Sequence, residues 1–292
     1  MTRERSYEKL RWKSGMTNRP RSSSPAVNSQ PCRCADLCDL TGKRALVTGA
    51  GGGIGRRITS GLACYGADVA CLDLTLEIAE IAVQTVKEHA REGLAIACDV
   101  RCPEAISAAV GQTLDAFGKI DILVNLAGKG ILKPALSFTL EDWTHMVDTY
   151  LRGTFLMCQE VGRHMVARAT GSIINISSVA SVVALGRGTA PYSAVKAGVN
   201  ALTRELAVEW ARSGVRVNAV APCQIDTPEL RSVLNNPQFV PEELMDKWLN
   251  AIPLGRLGKP EEIVGPCIFL ASDLSSLVTG HILMADGGYT IT

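Results

Sequence analysis

No run of apolar residues in the 292-residue chain approaches the roughly 20 needed to cross a bilayer. The longest runs are short and interrupted by Gly, Asp or Arg, so no membrane-spanning helix is expected. Aromatic residues are few, at 5%, and the core implied by a hydrophobic content of 47% has to be filled by aliphatic and small side chains. Neither sign of charge is in excess: the formal net charge is +1, which gives no reason to expect nucleic acid or an anionic membrane as a partner. The ten cysteines include the cluster "CRCADLC" (Cys32, Cys34, Cys38). A zinc site takes four ligands at paired spacing, and no second pair follows, so no metal is expected. Most other cysteines lie inside apolar runs, where a free thiol behaves as a small hydrophobe. A reducing, intracellular, cytoplasmic setting follows from that usage. There is no internal repeat and no sign of a second domain.

What is present divides after residue 39. Residues 1–39 hold eight Lys/Arg against four Asp/Glu and include "RPRSSSPAVNSQP", which has no apolar periodicity. Such a segment buries too little surface to offset its ordering entropy, and a disordered extension is expected. Its Arg and Ser content also suits an organelle-targeting peptide, against which stand Glu4 and Glu8; an apolar h-region for secretion is missing. Residues 40–292, with 22 basic and 25 acidic side chains, carry the folded domain.

In that region short apolar runs alternate with longer helical patterns. "RALVTGA" (44–50), "ADVACLDL" (67–74), "GLAIACDV" (93–100), "IDILVNLAG" (120–128), "GSIINISS" (171–178), "VRVNAVAP" (215–222) and "HILMADGG" (281–288) read as strands buried on both faces. Helices of about 10–20 residues separate them, "IGRRITSGLACYG" (54–66) being the first. The alternation predicts an α/β fold built on a single doubly wound, mostly parallel sheet of about seven strands, with helices on both faces.

"LVTGAGGGIGRRI" joins the first strand to the first helix, with Gly49, Gly53 and Gly55 spaced as G-x-x-x-G-x-G. Such a turn brings backbone close to a pyrophosphate and aims a helix N-terminus at its charge. A side chain at Gly53 or Gly55 would stand in the way. Alone, the glycines describe a flexible loop equally well; the strand before and the helix after turn the reading to phosphate binding. Asp73, eighteen residues past Gly55, ends the second strand. A carboxylate there accepts hydrogen bonds from the adenosine ribose hydroxyls and repels a 2′-phosphate. No Arg or Lys lies between Gly49 and Gly55 or just after Asp73, which favours NAD(H), while Arg56 and Arg57 keep NADP(H) possible.

"TAPYSAVKAGVNAL" (189–202) places Tyr192 and Lys196 four positions apart, on one face of a helix, among small apolar residues. A lysine stem can lie along apolar surface with its head in water, and a core tyrosine can put its hydroxyl at the surface. Ser177 and Ser178 can simply end a strand. Taken singly, these structural readings are the stronger ones.

Taken jointly they change. In order and spacing, "TGAGGGIG" (48–55), "CDV" (98–100), "NLAG" (125–128), "NISS" (175–178), "YSAVK" (192–196), "RVNAVAP" (216–222) and "ADGG" (285–288) make residues 40–292 resemble the short-chain dehydrogenase/reductase family, with its Rossmann-type sheet. "IPLGRLGKPEEI" (252–263) and "VTGHILMADGGYT" (278–290) are similar to its branch of sugar, polyol and sugar-acid dehydrogenases and 3-oxoacyl reductases. The resemblance implies NAD(P)-dependent interconversion of a secondary alcohol and a ketone on a small molecule. It implies that Tyr192 exchanges the hydroxyl proton as hydride moves, that Lys196 lowers the phenol's pKa and holds the nicotinamide ribose, and that Ser178 holds the substrate oxygen. It also implies Ile54 at the pyrophosphate turn, Asp99 on the adenine, Asn125 beside the adenosine half, and Ile225 and Thr227 on the nicotinamide carboxamide. A homodimer or homotetramer is the assembly it implies. A free phenol is ionised in about one molecule per thousand near neutral pH, so a competent base needs about 3–4 kcal/mol in favour of the phenolate. The Lys196 ammonium and the positive nicotinamide are the sources available.

Three positions depart from the family pattern. Tyr150, in "HMVDTYLRGTF" (145–155), stands where the family usually has an Asn that anchors a relay water, and its larger ring is expected to redirect the helix. Leu126 replaces a second Asn, and Cys223 replaces the Gly after Pro222, which narrows backbone freedom. Residues 223–251 are expected to form a substrate lid, mixing charged residues with Leu230, Phe239, Leu244, Met245 and Trp248. Two other readings share these residues: a dinucleotide-binding sensor or assembly subunit without turnover, and an NADP-dependent biosynthetic ketoreductase.

Overall fold

The structure, a computed structural model, describes residues 34–234 and 250–292. The seven expected strands form as β1 (Arg44–Thr48), β2 (Asp68–Asp73), β3 (Gly93–Ala97), β4 (Ile122–Asn125), β5 (Gly171–Ile176), β6 (Val215–Pro222) and β7 (Ile282–Ala285). They make one sheet of order β3-β2-β1-β4-β5-β6-β7 in which every pairing is parallel. Most strands stop one to three residues before the apolar runs do, because residues such as Gly49, Asp99 and Leu126 already belong to the loops at the carboxyl edge.

The helices are α1 (Gly53–Cys64), α2 (Leu76–Lys87), α3 (Pro103–Phe117), α4 (Leu140–Met146), α5 (Gly153–Ala167), α6 (Ala190–Trp210), α7 (Pro228–Leu234) and α8 (Val264–Ala271). Ile58 and Leu62 of α1, Val83 of α2 and Ile268 of α8 bury one sheet face. Ile106 and Val110 of α3, Met157 and Val161 of α5 and Leu206 of α6 bury the other. Each such side chain contributes about 1.5–3 kcal/mol relative to exposure. The thiols of Cys71, Cys158 and Cys267 serve the same core, and burial pushes each up to about 12, so they stay neutral filler.

Strand order grows from β1 toward β3 on one side and from β4 toward β7 on the other. The direction reverses between β1 and β4, which opens a crevice at their carboxyl ends. Thr48 closes the floor of that crevice, its Oγ1 accepting from the amides of Leu126 (3.1 Å) and Ala127 (3.2 Å). Gly49 follows in a left-handed conformation (φ +67°), and a Cβ there would lie 2.8 Å from Ala127 Cα. At the opposite, amino edge, buried Asp121 is held by Arg168 (2.7 Å) and Lys119 (3.0 Å), and buried Asp68 by Arg44 and Arg91. Charge at that edge secures the fold.

Between α4 and α5 the chain forms a π-helical turn, Val147–Arg152, with Tyr150 buried in it. Of the extension drawn at 1–39, residues 1–33 lie outside the described part, and Cys34–Cys38 form a short 3-10 turn. Of the expected lid, α7 is described, while Phe239, Leu244, Met245 and Trp248 lie outside. Among the described residues no helix is long and apolar enough to cross a membrane.

Candidate active site

The N-cap of α1 is Gly52, which brings no capping side chain, so the first amides of the helix stay open to an anion. Asp73 is fixed beside them: its Oδ2 accepts from the Gly51 amide (2.9 Å) and its Oδ1 from Leu74 (2.8 Å). The glycines serve different needs. A Cβ on Gly53 would sit 3.2 Å from Thr227, so the turn and the segment after β6 close on each other there. A Cβ on Gly55 would strike the carbonyl oxygens of Gly49 and Ala50, so Gly55 is required for close helix–strand packing rather than for an open crevice. Ile54 is half-buried against the core. Ile225 is buried and bridges to Gly258, and Thr227 Oγ1 accepts from the Leu230 amide (3.2 Å) and so caps α7.

Asp99 and Asn125 are already engaged. Arg101 grips the Asp99 carboxylate (2.6 Å from Nη2) and holds it below the usual carboxylate range. Asn125 is buried, donating to Asn175 Oδ1 at 2.9 Å. Its own Oδ1 and the Thr149 hydroxyl lack a partner among the described residues, and both residues line one small cavity with Thr48. Cys223 needs no glycine-like freedom, because its φ is not positive. Leu126 packs against the core, as a simple exchange of packing would have it.

Ser178 lies two residues past the end of β5, and Tyr192 and Lys196 occupy the first turns of α6. Lys196 is 5% exposed, and its Nζ donates to the carbonyl of Ile176, the last residue of β5, at 2.5 Å. That bond ties helix to strand at the crevice. Tyr192 is half-buried, with the Ser178 hydroxyl near enough to act on its phenol. Burial pushes the phenol up from its ordinary value, with the Ser178 hydroxyl working the other way. Burial likewise pulls Lys196 down to about 7. In the chain by itself, burial sets the direction for both groups.

A hydrogen-bonded chain steadies Ser178. Ser177 Oγ donates to Asn200 Oδ1 (2.6 Å), Asn200 Nδ2 to Ser181 Oγ (2.7 Å), and Ser181 Oγ to the Ser178 carbonyl (2.5 Å). Sequence reasoning missed Asn200, although it lies four and eight positions past Lys196 and Tyr192 on the same helix face. It also missed Gly128. The Tyr150 ring fills the space where a Gly128 Cβ would be, and Gly128 has φ +143°. Gly128→Ala is expected to cost about 2–4 kcal/mol, from overpacking and a disallowed backbone together, which urea unfolding measures.

A family model described as "Enoyl-(Acyl carrier protein) reductase" (adh_short_C2) matches residues 49–290. D-threitol dehydrogenase of Mycolicibacterium smegmatis is 41% identical over 252 residues, which cover 86% of this chain and 94% of that protein. The chain is a short-chain dehydrogenase/reductase. The 5-keto-D-gluconate 5-reductase of Escherichia coli is 38% identical over 258 residues, covering 88% of this chain and 98% of that one. The crystal structure of a gluconate 5-dehydrogenase from Burkholderia cenocepacia, in complex with NADP and tartrate, superposes with a TM-score of 0.82 at 37% identity, covering 88% of this chain and 99% of that one. This short-chain dehydrogenase/reductase belongs to the sugar and polyol dehydrogenase branch and is an NAD(P)-dependent oxidoreductase interconverting a secondary alcohol and a ketone.

Proposed function

We propose that this enzyme oxidises a small polyhydroxylated secondary alcohol, a polyol or sugar acid, with NAD as preferred cofactor and with Ser178, Tyr192 and Lys196 handling the proton. The observation that carries the reading is the convergence of these three side chains at the carboxyl edge of β5, on the same sheet edge as the glycine turn. The names of the threitol and gluconate relatives supply the substrate class.

The residues present fit a dinucleotide. The uncapped start of α1 suits the pyrophosphate, the Asp73 carboxylate suits ribose hydroxyls, and Gly49 and Gly53 leave backbone bare between them. Bound there, the dinucleotide takes up or supplies hydride at its nicotinamide ring. Ser178 Oγ accepts from the Ala180 amide (3.2 Å) and keeps its own proton to donate to the substrate oxygen. Tyr192 takes the alcohol proton in oxidation and returns it in reduction. Burial keeps its phenol protonated in the free chain, so it becomes a base only when further positive charge enters the site.

Among the described residues Asp73 meets only backbone amides, and Arg57 is paired with Glu261 at 2.8 Å instead of standing ready for a 2′-phosphate. Both support NAD. Asp73→Ser is expected to lower the NAD-to-NADP ratio of kcat/KM at least about tenfold, or 1.4 kcal/mol; an unchanged ratio in initial-rate assays refutes the preference. A screen of polyols and aldonates with each cofactor tests the substrate class, and binding of NADH without any turnover would favour the non-catalytic reading. Exposed Phe155 on α5 and Val208 on α6, the latter 79% exposed, support a homodimer or homotetramer, which light scattering tests.

A further inference from the structure

Lys196 is a buried ammonium with few polar neighbours. Three N–H donors project from Nζ, and among the described residues one acceptor, the Ile176 carbonyl, meets them. No Asp or Glu is paired with it there, and burial alone accounts for its lowered pKa. The rest of its surroundings is aromatic. The Tyr150 ring centroid lies 4.6 Å from Nζ and that of Tyr192 5.7 Å away. The two rings meet edge to face, 5.5 Å apart at 85°. Tyr150 cannot easily retreat: Gly128 backs its ring, and Met146 and Val195 are buried beside it.

We propose that Tyr150 is a positioning residue whose ring face holds the Lys196 ammonium charged and aimed between the Ile176 carbonyl and Tyr192, in the place where the family usually has an asparagine. A cation over an aromatic face is attracted by the ring quadrupole, most strongly where water is excluded. Burial keeps the Tyr150 phenol itself neutral, well above its ordinary pKa, so the negative face of the ring is available at any working pH without a competing ionisation. The titratable groups facing Lys196 are Tyr150 from the π-turn and Tyr192 from α6, and β5 adds only the Ile176 carbonyl. No charged side chain of α4, α5 or β6 is paired with it among the described residues. With the ring removed, Lys196 loses its proton at lower pH, and the positive charge is missing where Tyr192 has to ionise.

The inference rests on the catalytic reading of the pair it supports, and the test separates the two. The full-length protein carries Tyr150→Leu or Tyr150→Phe. Two quantities are read: kcat against pH, and the pH at which Lys196 loses its proton without cofactor, followed by nitrogen NMR of its Nζ. Tyr150→Leu is expected to move the kcat profile alkaline and the Lys196 titration acid, each by about one pH unit, and to lower kcat about tenfold at the wild-type optimum, with substrate KM changed less than about twofold. Tyr150→Phe restores both profiles. Should the leucine variant fail to fold, a trifluorinated phenylalanine at position 150, which keeps the ring's shape and weakens its negative face, takes its place. Equal shifts in the leucine (or fluorinated) and phenylalanine variants would assign the effect to the hydroxyl and overturn the proposal, as would no shift in either. Full activity in Tyr192→Phe would instead sink the catalytic reading.

Discussion

Tyr192→Phe is expected to lower kcat by about a thousandfold, within the range that positioned acid–base groups supply, while NADH affinity stays within about threefold of wild type. The substitution removes one oxygen and leaves the ring in its edge-to-face contact with Tyr150, 5.5 Å between centroids. The Ser178 hydroxyl keeps the Ala180 amide, so the strand end is not dismantled. A loss confined to kcat therefore reports the proton itself, because binding and packing are both retained. Rapid-mixing turnover and NADH fluorescence titration together make the measurement. Retention of more than about a tenth of wild-type kcat would remove Tyr192 from the reaction.

Lys196→Met is expected to lose about a hundredfold or more in kcat and yet to be at least as stable as wild type at neutral pH. Burial holds the folded Lys196 near 7, against its ordinary 10.5. Below pH 7 both folded and unfolded chains carry the proton, and the cost of burying the ammonium is present in full. Between about 7 and 10.5 the unfolded chain binds a proton that the folded chain has released, so wild-type stability rises with pH across that window, by at most about 5 kcal/mol. Methionine fills similar space without a charge and removes this cost, while leaving the Ile176 carbonyl unpaired at about 1–3 kcal/mol. The net change at pH 7 is neutral or favourable, and this contribution to the pH slope disappears. Urea unfolding at several pH values from 7 to 10 reads both quantities; a destabilised variant with an unaltered slope would refute the buried-cation account. A gain in stability that accompanies a loss of turnover is what a strained functional group predicts.

Much of the site was legible before any fold was known. Asp73 was recognisable at the end of a strand, and the structure shows its carboxylate held by the amides of Gly51 and Leu74 at the head of the crevice. Tyr192 and Lys196 share a helix face because four residues make about one turn. Less legible was what surrounds them. Tyr150 and Lys196 are forty-six positions apart, and the residue between α4 and α5 that brings them together sits in a π-turn, which breaks the 3.6-residue rhythm a sequence pattern relies on. Gly55 was read as room for phosphate, whereas the chain itself occupies that side of the residue.

The sequence by itself determined the strand count, the alternation of strand and helix, the glycine turn and the serine, tyrosine and lysine of the proposed site. These are local properties, carried by continuous apolar runs, by residues that need a particular backbone conformation and by spacing along one helix. Only the tertiary structure decided the protonation tendencies of Tyr192 and Lys196, the engagement of Asn125 with Asn175, and the aromatic seat of the ammonium. Desolvation and ring–cation contact depend on which distant segments exclude water from the same few cubic ångströms, and periodicity along the chain carries no record of that.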